Sequence, residues 1–229
     1  LTREAQELSR RYREEGGQGK RLSTTDRQAL AYAAVRMPAT FGAAAAALER
    51  TLPLLETVPT TLLDVGAGTG AAAWAASSLL FLESVICLER EPAMAQLGQA
   101  LMVAGSETLQ KSRWISGDIN DPSPFPSHAG LVIAAYVLNE MHEADRPAAL
   151  SRLWAATEDA LVLIEPGTPE GFRQIKAARD YLLDRGAALL APCPHDKSCP
   201  LPPDDWCHFS CRVARSRLHR QLKGGDAPY

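Results

Sequence analysis

The sequence predicts an α/β protein built on a doubly wound parallel sheet. The first observation is the stretch Leu62–Gly70, in which a short apolar run containing Asp64 breaks into glycines at alternate positions, Gly66, Gly68 and Gly70. This pattern is typical of a buried parallel strand that passes through a tight turn into a helix. The second observation is the alternation of apolar runs and helical patterns after it, which is the order that a doubly wound sheet requires.

The glycine turn is expected to lie against a nucleoside ligand. Glycine accepts a positive φ without steric cost, and the absence of a side chain lets a ligand approach the backbone. The helix predicted directly after the turn would point its N-terminus at that ligand.

Five strands and the helices between them make up the predicted core, residues 56–190. The strands are expected over residues 61–65, 84–89, 113–116, 130–135 and 160–165. Helices are expected over residues 71–82, 92–103, 145–157 and 172–183. Gly186 is the expected C-cap of the last helix, and the proline-rich stretch 120–126 is expected to be a loop.

Ahead of the core, residues 1–55 are interpreted as a helical lid or platform. Three helices are expected there: one within residues 1–22, a second over residues 23–37 and a third over residues 40–52. The first carries mixed charge, which is typical of a solvated helix, and it ends at a glycine run. Ser23 is the expected N-cap of the second helix, and Pro38 is expected to stop it.

Two classes of cofactor use such a glycine turn. As G-x-G-x-x-(G/A), the residues Gly66, Gly68 and Ala71 fit a dinucleotide fingerprint. As D-x-G-x-G-x-G, the stretch from Asp64 to Gly70 resembles motif I of the S-adenosylmethionine-dependent class I methyltransferases. Asp64 favours the methyltransferase, because dinucleotide sites do not require an acid two residues before the first glycine, and it is counted with the three glycines among the cofactor-binding candidates.

Three later stretches also favour a class I methyltransferase. Glu89 ends the second strand about 20 residues past the glycines, where an acid accepts ribose hydroxyls, although NAD sites share this feature. Asp118 follows the third strand, where methyltransferases hold the adenine edge. Tyr136 and Asn139 follow the fourth strand in a stretch that resembles motif IV, where a substrate base would enter. No residue is assigned as a general base.

The resemblance to class I methyltransferases implies a Rossmann-like sheet of seven strands, whereas the sequence predicts five. The closing pair would form a hairpin, and nothing after Leu190 resembles it. Either the sheet is incomplete or its last two strands lie beyond Tyr229, and we expect the second.

Composition limits the classes of protein that fit. The chain has 229 residues, a formal net charge of −3, 46% hydrophobic residues and 22% charged residues, which suits an α/β core and gives no global case for nucleic-acid binding. No apolar run reaches the ~18 residues of a membrane span, so no membrane partner is expected. Four of the five cysteines follow residue 192, which indicates metal or redox chemistry in a reducing compartment.

The spacing of the late cysteines does not by itself identify a metal. Cys193, Cys199, Cys207 and Cys211 are spaced C-x5-C-x7-C-x3-C, whereas zinc sites prefer tighter pairs and ferredoxins use C-x2-C-x2-C runs. A metal would stabilise a proline-rich loop that has little apolar content to bury. The alternative is a set of free cysteines that each pack as a small hydrophobic residue.

A more specific resemblance lies in this stretch. The runs P-C-P-H-D-x-x-C-P over residues 192–200 and D-W-C-H-F over 205–209 resemble the mitochondrial methyltransferase-like small-ribosomal-subunit assembly factors and their bacterial relatives. Residues 138–141 and 165–171 also resemble that family, and the likeness runs from about residue 20 to the end. It implies a methyltransferase fold with a C-terminal cysteine-rich metal-binding stretch over residues 191–229, and association with the small ribosomal subunit.

The resemblance also implies a 4Fe–4S cluster on four cysteines. Cys193, Cys199 and Cys207 correspond to three of the ligands, and the family's fourth ligand lies well downstream. Cys211 is an available thiolate, but Cys207 and Cys211 are four residues apart and would share one face of a helix. Zinc in a three-thiolate site is the alternative metal.

A basic stretch follows the cysteines. Its cationic residues are Arg212, Arg215, Arg217, Arg220 and Lys223. A helix here would bury Ala214, Leu218 and Leu222 and show the arginines to solvent. Solvated charge runs are common, but the family resemblance favours an RNA-phosphate patch, which arginine recognises bidentately.

These observations lead to one main hypothesis and several alternatives. The main hypothesis is an S-adenosylmethionine-dependent methyltransferase-like protein that acts on the small ribosomal subunit or its rRNA. The alternatives are a non-catalytic assembly factor that grips rRNA, an NAD-dependent oxidoreductase and a small-molecule methyltransferase. The expected location is the cytoplasm in a bacterium and the mitochondrial matrix in a eukaryote.

Overall fold

A parallel sheet of five strands lies at the centre of the computed structural model, which describes residues 1–14, 24–121, 125 and 128–223. The strands are β1 (Thr61–Val65), β2 (Ser84–Glu89), β3 (Arg113–Ser116), β4 (Ala129–Ala135) and β5 (Thr157–Ile164). Their order across the sheet is β3-β2-β1-β4-β5. The chain therefore reverses direction across the sheet beside β1, and doubly wound folds bind ligands at the carboxyl ends of the strands at such a point.

Helices flank the sheet and precede it. The described residues form α1 (Thr2–Glu14), α2 (Asp26–Val35), α3 (Met37–Thr51), α4 (Ala71–Leu79), α5 (Pro92–Met102), α6 (Glu107–Gln110), α7 (Arg146–Ala155), α8 (Pro169–Leu183) and α9 (Arg217–Lys223). None of them is long and apolar enough to span a membrane within the described part of the chain.

The two faces of the sheet are both covered, as its apolar strands predict. Leu62 of β1 and Ile133 of β4 pack with α3 and α4 on one face. Leu63 and Val132 pack with α7 and α8 on the other. Successive strand residues point to opposite faces, so a strand buried on both faces reads as the continuous apolar run seen in the sequence.

The predicted strands are confirmed, three of them to the residue. The fifth strand starts at Thr157, earlier than the predicted residue 160. The sequence pattern missed this start because Glu158 and Asp159 are exposed acids that interrupt the apolar run. Backbone pairing with β4 extends the strand there independently of side-chain hydrophobicity. The short helix α6, capped by the Ser106 hydroxyl, was not predicted.

Two predicted helix boundaries are wrong for physical reasons. Pro38 does not stop α2, which ends at Val35; it lies in the first turn of α3, where its missing N–H costs nothing. Gly186 is not the C-cap of α8, because Asp184 takes that position. Gly186 adopts a φ of 87° two residues later, in the turn that leaves the helix.

The second helix carries a complete N-terminal cap. The Thr25 hydroxyl accepts a hydrogen bond from the Gln28 N–H at 3.3 Å, and the Gln28 side chain accepts one from the Thr25 N–H at 3.2 Å. This reciprocal pair is a capping box. The predicted cap, Ser23, and the glycine run that should end the first helix lie outside the described residues, as does most of the predicted loop 120–126.

The C-terminal region differs from the predicted helix. Residues 187–216 contain neither helix nor strand, so Cys207 and Cys211 do not share a helix face. Helix α9 begins only at Arg217, which leaves Arg212 and Arg215 outside it. The predicted buried stripe is wrong for Ala214 and Leu218, which are exposed, and confirmed for Leu222, which is buried together with His219. Leu222 packs with Ala5 of α1 and Val35 of α2.

Candidate functional site

A cavity of about 900 Å³ opens at the carboxyl ends of the strands. Its walls come from the turn after β1, from residues 88–91 and 117–119 after β2 and β3, and from residues 135–141 after β4. Residues 166–174 close the far side, and Tyr32, Arg36 and Thr40 cover it from α2 and α3. The volume is typical of a small-molecule or cofactor site, and the position is that expected for a doubly wound sheet.

The glycine turn is shaped as the sequence predicts. Gly66, Gly68 and Gly70 have φ values of 67°, 57° and 83°, a region that side chains rarely tolerate. Gly66 and Gly68 line the cavity, but Gly70 does not. Instead, a side chain at Gly70 would collide with Met102. Gly66 and Gly68 therefore contribute backbone to the cavity wall, although a side chain at Gly66 would also meet Val137 at 2.6 Å, and Gly70 serves the turn and its packing.

Asp64 lies behind the turn rather than in the cavity wall. It is 2% exposed, and its Oδ2 accepts a hydrogen bond from the Ala73 N–H in the first turn of α4 at 3.1 Å. Burial raises the pKa of this carboxyl to about 7 despite that hydrogen bond. The acid that distinguishes the methyltransferase pattern from the dinucleotide pattern thus ties β1 to the start of α4.

Glu89 reaches the cavity from the end of β2. Its Oε2 accepts a hydrogen bond from the Gly68 N–H at 2.6 Å, and its Oε1 accepts one from the Glu91 N–H at 2.8 Å. Burial raises the pKa of Glu89, and these two backbone hydrogen bonds oppose the rise. Carboxylate oxygens have further lone pairs, so Glu89 can shape the glycine turn and still accept hydrogen bonds from a ligand.

Asp118 also lines the cavity, and it is bound to a residue that the sequence analysis did not select. Arg90 Nη1 lies 3.1 Å from Asp118 Oδ2, and its Nη2 lies 3.5 Å from Glu140 Oε2. Asp118 Oδ1 accepts a hydrogen bond from the Asn120 N–H at 2.9 Å. The acid predicted to hold the adenine edge is therefore oriented by two protein donors.

The substrate-side candidates lie together on the loop after β4. Tyr136 has a φ of 62°, the only positive φ of a non-glycine residue in the described part of the chain. Its N–H donates to the Ile164 carbonyl at 2.7 Å. Tyr136 and Asn139 both line the cavity. A strained backbone persists only where its surroundings hold it, so this loop is held in one shape.

Glu165, directly after β5, helps to fix the conformation of the loop after β4. Its Oε1 accepts a hydrogen bond from the Leu138 N–H at 2.8 Å. Burial raises the pKa of this carboxyl to about 8. Burial also raises the pKa of Tyr136, and the neighbouring Glu165 adds to the rise.

The cysteine-rich segment, residues 191–213, divides into two parts. Cys193 and Cys199 lie near enough to Cys207 for their charges to raise its pKa, after burial as the larger cause. Cys211 lies elsewhere: its Sγ would be 3.6 Å from a Cβ at Gly42 of α3. Within residues 1–14, 24–121, 125 and 128–223, no group of three His, Cys, Asp or Glu side chains has the geometry to hold a metal ion.

This segment is fastened beside the cavity. Trp206 Nε1 donates to the Gly167 carbonyl at 3.2 Å, and its ring stacks on that of His208 with centroids 5.6 Å apart. Arg179 of α8 donates to the His195 carbonyl at 3.3 Å. Because Pro166 and Thr168, on either side of Gly167, line the cavity, the cysteine-rich segment contacts the cavity wall from outside.

The five basic residues do not form one helical face. Arg212, Arg217 and Arg220 are exposed, whereas Arg215 and Lys223 are partly buried. The last two lie near the buried His219, whose pKa is lowered by burial and then by their charges. Helix α9 packs on α1 and α2, so its exposed arginines lie on the same side of the molecule as the N-terminal helices.

The sequence matches, over residues 26–229, the family described as mitochondrial small ribosomal subunit Rsm22. The chain belongs to this family. It is 32% identical to the human ribosome assembly protein METTL17, mitochondrial, over an alignment of 213 residues that covers 82% of this chain and 44% of the relative. It is also 39% identical to the mitochondrial Rsm22-cox11 tandem protein 2 of Schizosaccharomyces pombe over an alignment of 84 residues. That alignment covers 31% of this chain and 11% of that protein. The chain spans less than half the length of these curated relatives.

Solved structures similar to this Rsm22 family member include methyltransferases. One is CalS10, an amino pentose methyltransferase from Micromonospora echinaspora with S-adenosylmethionine bound, at 26% identity and a TM-score of 0.46 over 56% of this chain and 52% of that one. Another is a TehB-like S-adenosylmethionine-dependent methyltransferase from Corynebacterium glutamicum, at 17% identity and a TM-score of 0.46 over 61% of this chain and 71% of that one.

The cavity residues Arg90, Tyr32 and Arg36 of this Rsm22 family member, and Glu165 beside the cavity, were not predicted from the sequence. Arg90 directly follows Glu89, and Glu165 ends a predicted strand as Glu89 does, so their positions after strands were visible signals. Tyr32 and Arg36 are four residues apart on a predicted helix and so share one face. Which face meets the glycine turn depends on how α2 packs, and the sequence pattern does not give that.

Proposed function

We propose that this chain binds S-adenosylmethionine in the cavity beside β1 and acts on the small ribosomal subunit or its rRNA during assembly. One observation carries the cofactor: the positive-φ glycines Gly66 and Gly68 form a bare backbone wall of the same cavity that receives Glu89 and Asp118. A bare backbone beside two acids suits a nucleoside with hydroxyl and amino donors.

The roles of the residues follow from their positions. Gly66 and Gly68 would pass the methionine part of the cofactor, Glu89 would accept hydrogen bonds from the ribose hydroxyls, and Asp118 would accept one from the adenine amino group. Tyr136 and Asn139 would meet the methyl acceptor. Transfer of a methyl group from a sulfonium is an in-line displacement, so the fold contributes chiefly by holding donor and acceptor in line.

Membership in the Rsm22 family supports the ribosomal partner. The human relative is named a mitochondrial ribosome assembly protein, and we extend that partner and the mitochondrial matrix to this chain if its source is a eukaryote. The exposed side chains Arg212, Arg217 and Arg220 would contact RNA phosphates, with Arg215 and Lys223 beside them.

We further propose a soft metal on Cys193, Cys199 and Cys207. The donor chemistry suits a soft metal, because Cys193 and Cys199 both lie near Cys207 on a proline-rich segment that forms no helix or strand. Among the described residues these thiols are not arranged as a metal site, so the segment would have to close around the metal. A 4Fe–4S cluster takes four cysteine ligands, and Cys211 lies against Gly42 instead of beside the other three. The iron–sulfur form of the proposal therefore requires a fourth ligand from another part of the protein, whereas a zinc site could use three thiolates and a water.

A non-catalytic assembly factor is the second candidate, and one observation favours it. On the substrate side, Glu140 is held in an ion pair with Arg90, and Glu165 accepts the Leu138 N–H through Oε1. In that case the cavity would bind the cofactor as a structural ligand, and the basic residues would bind rRNA.

A methyl-transfer assay on assembling small subunits separates the two candidates. With S-adenosylmethionine labelled on its methyl group, the enzyme would label one RNA or protein component, and Gly68→Ala would abolish the label. Gly186→Ala is the matched control, because Gly186 also has a positive φ of 87° but nothing within 4 Å of its Cβ position. Association with the subunit without any labelling would establish the assembly factor instead.

A further inference from the structure

Arg90 is surrounded by acids that come from different loops of the crevice. Its guanidinium lies 3.1 Å from Asp118, 3.5 Å from Glu140 and 3.8 Å from Glu91. The side chain is 25% exposed, and Arg90 and all three acids line the same cavity. Arg90 therefore pairs with three carboxylates inside the space proposed for the cofactor, in a cavity whose lining also includes Arg36 and Arg146.

The ion pairs of Arg90 form a bridge between loops that follow three different strands. Arg90 follows β2, Asp118 follows β3 and Glu140 follows β4. In the sheet order β3-β2-β1-β4-β5, the ion pair from Arg90 to Glu140 passes over the end of β1, where the glycine turn lies. A ligand on Gly66 and Gly68 would lie beside this bridge and inside its electric field.

The charge of that field distinguishes the cofactor from its product. S-adenosylmethionine carries a sulfonium cation, whereas S-adenosylhomocysteine, which remains after methyl transfer, has a neutral thioether at the same place. Carboxylates around the crevice attract the cation and act little on the thioether, and a guanidinium among them has the opposite effect. In a partly buried site such interactions are weakly screened by salt.

We propose that Arg90 is the specificity-determining residue of this crevice: by neutralising Asp118 and Glu140, it sets how strongly the crevice prefers the sulfonium cofactor over the neutral product. This inference rests on the proposed binding of S-adenosylmethionine. It assigns to Arg90 a role in the exchange of product for fresh cofactor.

The test is calorimetric titration of the whole chain with each ligand at about 0.05 M salt, to give the ratio of the two affinities. Arg90→Met should raise the preference for S-adenosylmethionine about three- to tenfold, as expected when one positive charge is removed from a partly buried site that binds a cation. Glu140→Gln, on the other side of the same ion pair, should lower it. Arg90→Lys keeps the charge and should keep the ratio.

Arg113→Met is the matched control, because Arg113 is an exposed arginine at the opposite end of β3, outside the cavity. A purely structural role for Arg90 would weaken both ligands together and leave the ratio within twofold of the unmodified chain, and that result would overturn the inference. If Arg90→Met does not fold, an unchanged ratio in Glu140→Gln would overturn it equally. Failure of the unmodified chain to bind either ligand would overturn the proposed function, and the inference with it.

Discussion

Three buried carboxyl groups hold the backbone around the cavity, and each does so by accepting N–H groups. Asp64 accepts from Ala73, Glu89 accepts from Gly68, and Glu165 accepts from Leu138. Burial raises the pKa of all three carboxyls, whereas their hydrogen bonds to the ionised form oppose the rise. The backbone turns around the cavity are therefore held by three carboxyl groups whose pKa values are raised by burial.

Glu165→Gln tests this at one residue. The pKa of Glu165 is about 8 when folded and 4.5 as the reference value, so folding takes up a proton between these values. Its stabilising contribution is complete below about pH 4.5 and is lost as the pH rises through 8. Glutamine keeps an acceptor for the Leu138 N–H and does not titrate. As the pH rises from about 4.5 to 8, the free energy of unfolding of the unmodified chain should therefore fall relative to that of Glu165→Gln, by up to about 1.4 kcal/mol per pH unit.

Urea unfolding at pH 5, 6, 7 and 8 measures this difference. Glu158→Gln, an exposed position on the same strand, is the control and should run parallel to the unmodified chain. Parallel curves for Glu165→Gln and the unmodified chain would show that the Glu165 carboxyl is not protonated on folding.

At the scale of elements, the sheet could be predicted well and the cavity only in part. Strands β1, β2 and β3 were predicted to the residue because their apolar runs end at glycine or acidic residues. The glycine turn, Glu89 and Asp118 were placed together because parallel strands end at one edge of a sheet. The Arg90 bridge escaped prediction, since it joins loops that are distant in sequence.

The C-terminal stretch shows why the remainder could not be predicted. Helical periodicity in Ala214, Leu218 and Leu222 predicted a buried stripe, yet the structure buries His219 and Leu222. Residues before Arg217 are not helical, so the face of α9 that packs on α1 and α2 is set by the path of the preceding loop and not by the spacing of apolar residues. The proximity of Cys207 to Cys193 and Cys199 is likewise set by the contacts of Trp206 and Arg179 with the core rather than by spacing.

Helix α2 offers a prediction at this scale. Thr25→Ala removes the hydroxyl that accepts the Gln28 N–H, and loss of such a cap costs about 0.5–2 kcal/mol. Since α2 brings Tyr32 to the cavity, the same change should weaken cofactor binding by a few fold at most. Urea unfolding and calorimetry measure the two effects. The control is Thr24→Ala, because Thr24 is an exposed neighbour whose hydroxyl is outside the capping box. It should change neither quantity. Equal free energies of unfolding for the two variants would refute the role of the Thr25 cap.

At the scale of the whole molecule, the cysteine-rich segment and the cavity share one wall. Trp206 is bound to Gly167, and the residues on either side of Gly167 line the cavity. A metal on Cys193, Cys199 and Cys207 would replace weak loop packing with strong bonds. The metal would therefore stabilise both the segment and the adjoining wall.

Metal analysis of protein purified without oxygen checks this proposal. We expect either about four irons and four sulfides per chain, as in a 4Fe–4S centre, or stoichiometric zinc. Cys193→Ser and Cys199→Ser should lose the metal, whereas Cys211→Ser should retain it because Cys211 lies against α3. Equal loss in all three variants would show that Cys211 is a ligand, and protein without metal would leave the cysteines as packing residues.

The central claim is that the crevice beside β1 binds S-adenosylmethionine through the bare backbone of Gly68. Calorimetric titration of the chain with S-adenosylmethionine, compared with NAD, tests it most directly. We predict binding of S-adenosylmethionine at one site, at least tenfold weaker in Gly68→Ala and unchanged in Gly186→Ala, with no binding of NAD. Binding of NAD in preference, or equal affinity of the two glycine variants for S-adenosylmethionine, would contradict the account.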